Sequence, residues 1–276
     1  MPIITLTTDF GLKDYFVSAV KGSIYSELND ATIVDISHLV SPYDVAEGAY
    51  IIRNAYRSFP KGSIHVIGID SELTPEKKHL AVFLDGHYFI CADNGIISLI
   101  ANEIHPEKIV EITIHDKVED SFNILGPFVK VACHLARGGS PDVIGKIIRN
   151  IKINKNIAPS VSEKNVLISG HVLYIDNYGN VITNITKKLF NKICKNRSFV
   201  ISSRSTRFTQ IHNQYSDVVN FATPPEKRDT DGNKLALWNA SGYLELAIYK
   251  SDRKNVGGAN SLLGMKAQDP ITITFN

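Results

Sequence analysis

Apolar and polar positions follow two rhythms along the chain. In the first half, short β-branched runs alternate with stretches at helical spacing. Residues 3–7 form an apolar, β-branched run that predicts a buried strand. The pattern breaks at Thr8-Asp9-Phe10-Gly11 and resumes over 12–24 as a helix, with Tyr15, Phe16, Ala19, Val20 and Ile24 on one face. Residues 31–37 predict a second strand and 45–59 a helix with Ala46, Ala49, Ile52 and Ala55 inward. A third strand over 63–69 ends at Asp70. Residues 80–84 and 87–91 predict a hairpin turned at Asp85-Gly86. Asn94-Gly95 makes a further turn before a short helix, and 128–137 predicts a helix stopped by Gly138-Gly139. This alternation predicts an α/β domain over residues 1–150, doubly wound and Rossmann-like.

Residues 151–165 lie in a polar stretch and read as a linker with room for one strand. Beyond it the rhythm becomes that of a β protein. Alternation over 166–175 leads into the turn Asp176-Asn177-Tyr178-Gly179-Asn180, and a strand resumes over 181–185. Short strands recur at 198–202, 235–238, 243–248 and 271–275. Many short strands with Gly and Asn turns predict an all-β barrel domain over 166–276. Residues 219–233, with Pro224-Pro225 and mixed charges, read as one long loop.

Composition narrows the class. A hydrophobic content of 43% with 21% charge gives a soluble globular chain enough core. A net charge of +2 is too small to argue for nucleic acid or an anionic membrane as partner. Cys91, Cys133 and Cys194 are odd in number and widely spaced, so reduced, mostly buried thiols are expected. No His or Cys spacing suits a metal, and no cofactor is expected. With no basic leader and no apolar run of spanning length, the expected address is cytoplasmic.

Candidate chemistry gathers at strand ends and turns. Asp9 falls at the carboxyl end of the first strand, the edge where open α/β sheets bind ligands. No G-x-G-x-x-G or Walker lysine pattern is present, so this turn is not built for pyrophosphate. Its carboxylate could accept both hydroxyls of a ribose diol, or could simply cap the helix. Other clusters are Ser41-Pro42-Tyr43-Asp44, Asp70-Ser71-Glu72 with Lys77 and Lys78, Phe122-Asn123, the 176–180 turn, and Gly257-Gly258-Ala259-Asn260. Each has a plain alternative. Tyr43 and Phe122 could be core, the 176–180 segment a mere hairpin turn, the lysines a solvated face, and Asp70 a cap. The residues by themselves support a small-molecule site, of a kind suited to a nucleoside, and no named reaction.

Seven segments in order carry a resemblance: TDFG at 8–11; VDISH at 34–38 with SPYDV at 41–45; Asp70 after its strand; ADNGIIS at 92–98; CHLARGG at 133–139; DNYGNVITNI at 176–185; and SGYLELA at 241–247. Together they resemble the S-adenosylmethionine hydrolases (adenosine-forming), a family that includes the S-adenosylmethionine-dependent fluorinase and chlorinase. The resemblance covers nearly the whole chain. It implies a homotrimer with inter-subunit sites and S-adenosylmethionine as substrate. Asp9 would hold the ribose diol, with Tyr43 against the nucleoside and Phe122 in the same binding set. Tyr178 would stand beside the adenine, whose edge Asn180 and the backbone near Ala259 would read. Asp176 would meet the methionine ammonium, and the turn with Ala240 and Ser241 its carboxylate.

The family's hydrolases surround the attacking water with an Asp, an Arg and a His. Here those positions hold Asp70, Lys77 and Asn123. Lysine keeps the charge but loses the planar fork, and asparagine cannot accept a proton. Asp70 is then the base the pattern supplies, with Glu72 as a recruit. The expected reaction is water attack at ribose C5′, giving adenosine and L-methionine. The alternatives are a catalytically degenerate S-adenosylmethionine or adenosine binding protein, and a halide-dependent relative, against which the bulk of Ile124 stands.

Overall fold

The structure, a computed structural model, describes residues 3–114, 125–154, 158–228, 232–251 and 257–276. The chain divides into two compact units, Met1–Asn156 and Ile157–Asn276, each built on its own sheet.

The first unit runs β1 (Ile3–Thr8), α1 (Phe16–Glu27), β2 (Thr32–Ser37), α2 (Val45–Ala55), β3 (Ile64–Gly68), β4 (His79–Leu84), β5 (His87–Ala92), α3 (Ile96–Ala101), β6 (Lys108–Ile112), α4 (Gly126–Ala136) and β7 (Gly145–Ile147). The sheet order is β2-β1-β3-β5-β4-β6-β7. β2, β1, β3 and β5 run parallel, while β4, β6 and β7 make antiparallel pairs. It is a mixed sheet with both faces covered. Neighbouring strand residues point opposite ways. Ile64, Val66 and Ile90 accordingly pack with Val20 and Ile24 of α1 and Phe128 of α4. Ile67, Phe89 and Cys91 pack with Ile52 of α2 and Ile96 and Ile100 of α3. Double-sided burial explains why these strands read as continuous apolar runs.

The helices differ from expectation at their ends. α1 starts at Phe16, with Val17, Val20 and Ile24 buried, and Tyr15 is 66% exposed rather than inward. α2 ends at Ala55 and gives way to a 3₁₀ turn over Tyr56–Ser58. Tyr56 is there wedged edge-on against His65, His87 and Phe89. α2 lies close on the sheet because Gly48 faces it; a Cβ there would sit 2.2 Å from Ile69 Cδ1. Of the residues expected to link the two domains, Asn154 is tied to the first unit by its amide on the Asn94 carbonyl at 2.9 Å.

The second unit runs β8 (Ser160–Val161), β9 (Leu167–Ile175), β10 (Val181–Thr186), α5 (Lys187–Cys194), β11 (Phe199–Ser203), β12 (Thr206–Phe208), β13 (Lys234–Trp238), β14 (Tyr243–Ile248), α6 (Ala259–Leu262) and β15 (Pro270–Phe275). The order is β12-β11-β15-β9-β10-β14-β13, with β8 also on β9, and every pair is antiparallel. β9 pairs with β15 over its first half and with β10 over its second. That hand-over curls the sheet into a barrel-like form around Ile168, Val172, Ile185, Leu244, Leu246 and Ile273. α5, which the strand pattern gave no hint of, plugs it with Phe190 and Ile193, its start capped by Thr186 Oγ1 accepting from Leu189 N–H at 3.2 Å. All three cysteines are free and buried. Among the described residues no helix is long and apolar enough to cross a membrane.

Candidate functional site

In the first unit the site follows from strand register. β1 and β3 pair with Thr8 opposite Gly68, so Asp9, one residue past its strand, and Asp70, two residues past its own, emerge side by side at the carboxyl edge. Asp9 does not cap α1, whose first residue lies seven positions on. Its Oδ2 instead accepts the backbone N–H of Tyr43 at 2.9 Å and, more loosely, that of Asp70 at 3.4 Å. Both donors have left-handed backbones, with φ of 63° at Tyr43 and 42° at Asp70. Such conformations cost side-chain-bearing residues energy and persist where surrounding bonds hold them. One carboxylate thus organises two strained corners. The turn that carries Asp9 is itself clasped by His38, whose carbonyl accepts Gly11 N–H at 2.7 Å and whose Nδ1 lies 2.8 Å from Thr8 Oγ1.

Asp70 is held from two further sides. Lys77 Nζ reaches Asp70 Oδ1 at 2.5 Å from the tight Thr74–Lys77 turn. β5 lies next to β3, which brings Asn94 behind this loop. Its buried amide donates to the Ile69 carbonyl at 2.9 Å. His79 Nε2 donates to the Ser71 carbonyl at 2.8 Å. The Asp70 and Lys77 side chains are 33% and 17% exposed, so the pair is partly shielded yet accessible to a ligand. Tyr43 is 76% exposed, which excludes a core role.

In the second unit Asp176 organises the 176–180 turn. Its Oδ1 accepts Tyr178 N–H at 2.9 Å and Asn180 N–H at 2.8 Å, and its Oδ2 accepts from Asn180 Nδ2 at 3.0 Å. Gly179 has φ 82°, and a Cβ there would lie 2.7 Å from Gly258 Cα, so this turn and the 257–260 turn meet backbone to backbone. Asn260 N–H donates to the Gly179 carbonyl at 2.9 Å. Tyr178 and Asn180 line a cleft of about 340 Å³ with Tyr215, Ile248, Tyr249, Lys250 and Ser251. Ala259 is fully buried, its carbonyl accepting Leu263 N–H, and it is not among the residues that line the cleft.

Ala240 and Ser241 form an exposed turn between β13 and β14, where Asn239 Oδ1 accepts the N–H groups of Ser241 and Tyr243 at 3.0 Å each. The structure therefore groups Asp9, Tyr43, Asp70 and Lys77 in one unit, and Asp176, Tyr178 and Asn180 in the other. Phe122 and Asn123 lie outside the described residues. Three contributors escaped the sequence pattern. Asn94 reads in sequence as a turn residue, with nothing to mark its amide as a support of the Asp70 loop. Glu245 is a charge inside an apolar strand, a visible anomaly. Tyr215 lies in a loop region and carries no signal. Among the described residues no three His, Cys, Asp or Glu side chains group to hold a metal ion.

Comparisons with known proteins identify the family. Residues 4–145 match the SAM hydroxide adenosyltransferase N-terminal domain, and residues 170–272 match the C-terminal domain. The chain is 28% identical to the (R)-S-adenosyl-L-methionine hydrolase of Methanocaldococcus jannaschii, covering 100% of this chain and 97% of that one. It is 26% identical to the protein of the same name from Salinispora arenicola, covering 99% and 98%. The fluorinase of Actinopolyspora mzabensis is also 26% identical, with 89% and 90% covered. The crystal structure of an uncharacterized conserved protein from Thermotoga maritima superposes with a TM-score of 0.83 at 27% identity, covering 99% of this chain and 100% of that one. With the two family domains matched in order along both units, the chain belongs to the SAM hydroxide adenosyltransferase family.

Proposed function

We propose that the protein hydrolyses S-adenosyl-L-methionine to adenosine and L-methionine, acting as the hydrolases among its relatives are named to act. The observation that carries this reading is the Asp70–Lys77 pair beside Asp9 at the carboxyl edge of the sheet. In the proposed reaction a water oxygen bonds to ribose C5′ as the C5′–sulfur bond breaks. The electron pair of that bond stays on sulfur, which leaves as a neutral thioether and needs no acid. Asp70 takes the proton that the water sheds. Lys77 occupies Asp70 Oδ1, so the second oxygen is directed at the water. With Asp9 Oδ2 bound to backbone N–H groups, Oδ1 remains to accept from a ribose hydroxyl.

In the same proposal Tyr43 stacks against the nucleoside with Phe122, Tyr178 and Asn180 take the adenine, and the backbone near Ala259 supports its edge. Asp176 retains one lone-pair site, on Oδ2, for the methionine ammonium beyond the three used in its turn, and Ala240 and Ser241 receive the carboxylate. Asn123 orients the water. No cofactor is required, and the sulfonium taken is the (R) form that the relatives' names specify. A homotrimer with inter-subunit sites, a Rossmann-like first domain and a cytoplasmic address complete the proposal.

The test is incubation with S-adenosylmethionine of both sulfonium configurations in ¹⁸O-water without halide. Adenosine labelled at the 5′-hydroxyl is expected. Asp70→Asn should lower turnover by about 10²–10⁴-fold, the usual worth of a positioned base, with adenosine affinity kept. Undiminished turnover in that variant would remove Asp70 from the chemistry. Adenosine binding without any release of product by the wild type would select the catalytically silent alternative.

A further inference from the structure

We propose that Glu245 is a positioning residue of the cleft in the second unit, holding Tyr215 as a cleft wall and tying it to the Ala240–Ser241 turn. The inference rests on the reading of that cleft as an adenosyl subsite. Glu245 stands mid-way along β14, and its neighbours Leu244 and Leu246 point into the barrel core, so Glu245 faces the opposite side of the sheet. That side is otherwise apolar, with Leu235, Leu237 and Ala247 covered by Val218. The short helical turn Tyr215–Val218 lies over it, and Glu245 is 3% exposed.

A carboxylate so buried must be partnered to be tolerated, and it is. Tyr215 donates its hydroxyl to Glu245 Oε1 at 2.5 Å. The Asn239 side chain supplies a second hydrogen bond, while its own Oδ1 shapes the turn that presents Ala240 and Ser241. Asp176 is close enough that its charge, after burial, pushes the Glu245 carboxyl above its ordinary range. Burial and then Glu245 push the Tyr215 phenol up, keeping it a donor. One side chain therefore connects the Tyr215 wall, the backbone turn and the Asp176 corner.

Stability alone does not ask for this arrangement. A buried polar group replaced together with its partner by apolar side chains of similar shape is often neutral or stabilising, and the surrounding leucines would accept such a pair. What an apolar residue could not do is fix the direction of the Tyr215 ring and of the Asn239 amide together. The Glu245 carboxyl, with two acceptor oxygens, bonds both.

The experiment measures adenosine binding by calorimetry and S-adenosylmethionine turnover for the wild type, Tyr215→Phe, Glu245→Leu, Glu245→Gln and the Tyr215→Phe/Glu245→Leu double variant. Tyr215→Phe and Glu245→Leu are each expected to weaken adenosine binding on the order of 10-fold, the scale of a hydrogen bond to a charged group, and to raise KM with kcat little changed. The double variant should bind no more weakly than the worse single variant, because both remove one interaction. Glu245→Gln, whose amide oxygen still accepts, should recover most of the affinity, and the melting temperature of the double variant, which removes donor and acceptor together, should fall little. Wild-type affinity in Tyr215→Phe, or additive losses in the double variant, would overturn the positioning role; Tyr215→Phe decides this even if Glu245→Leu does not fold. If the wild type binds and cleaves while these variants match it, only the positioning role fails. If the wild type neither binds adenosine nor releases it, the proposed function fails, and the positioning role with it.

Discussion

Acidification should destabilise the first unit through His65, independently of its carboxylates. The imidazole is 1% exposed in the middle of β3. Its Nδ1 lies 2.7 Å from Thr5 Oγ1 and its Nε2 lies 3.2 Å from His87 Nδ1. The ring stacks on Phe89 at 4.8 Å and meets Tyr56 and Phe59 edge-on. Burial first, and the adjacent His87 second, push its pKa from 6.5 down to about 3. The folded state thus holds the ring neutral while the unfolded chain binds a proton below about pH 6.5. The contribution to stability is full above that pH and is lost as pH falls towards about 3. At 1.36 kcal/mol per unit, this single group removes about 2 kcal/mol by pH 5 and about 3 kcal/mol by pH 4. The assay compares urea unfolding of the wild type and His65→Gln between pH 8 and pH 5. Glutamine does not titrate but can still meet Thr5 and His87. The stability gap between the two proteins should narrow, in the variant's favour, by about 2 kcal/mol across that range. Parallel curves, or an NMR titration of His65 near its ordinary value, would refute the argument.

Two predictions bear on the site. Lys77→Met should lower turnover on the order of 10²-fold by letting Asp70 lose its direction, while Lys77→Arg, which keeps the charge and adds a fork, should retain wild-type activity or exceed it. A Lys77→Met enzyme with wild-type kcat would show that the pair at 2.5 Å serves structure alone. Gly179→Ala places a Cβ against Gly258 and asks a left-handed backbone of alanine, which costs about 1–2 kcal/mol before the clash is counted. Adenosine affinity and the melting temperature should both drop; an unchanged melt would contradict the close approach of the two turns.

Features written in neighbouring residues were legible from the sequence. The hairpin of β4 and β5 turns at Asp85 and Gly86, both with positive φ, where the Asp-Gly pair placed it. β14 spans the expected residues. Where structure depends on partners far along the chain, local pattern misled or fell silent. Leu12 and Tyr15 fit a helical face yet are each 66% exposed, in a stretch whose course is set by the bond from Gly11 N–H to the His38 carbonyl. Gly48 gave no sign that α2 must approach Ile69. Glu245 stood out in its strand, but its partner Tyr215 is 30 positions away.

The two tyrosines singled out for a nucleoside show how far local reading reaches and what the structure adds. Tyr43 and Tyr178 sit in turns that a sequence marks easily, but whether such a ring packs inward or stands free depends on the fold. Both stand free, 76% and 67% exposed. Each has its backbone N–H pinned 2.9 Å from an aspartate oxygen, Asp9 for Tyr43 and Asp176 for Tyr178. The carboxylate immobilises the main chain and leaves the ring uncovered. An exposed aromatic ring forfeits the burial that would stabilise it, roughly 25 cal/mol for each Å² left in water. A flat apolar ligand laid against the ring recovers that area, and the rigid backbone spares it the entropy of ordering the turn. Two unrelated turns, one after a parallel strand and one in an antiparallel hairpin, present the same device, an uncovered ring on a fixed backbone, and it is the device that the proposed nucleoside site would use.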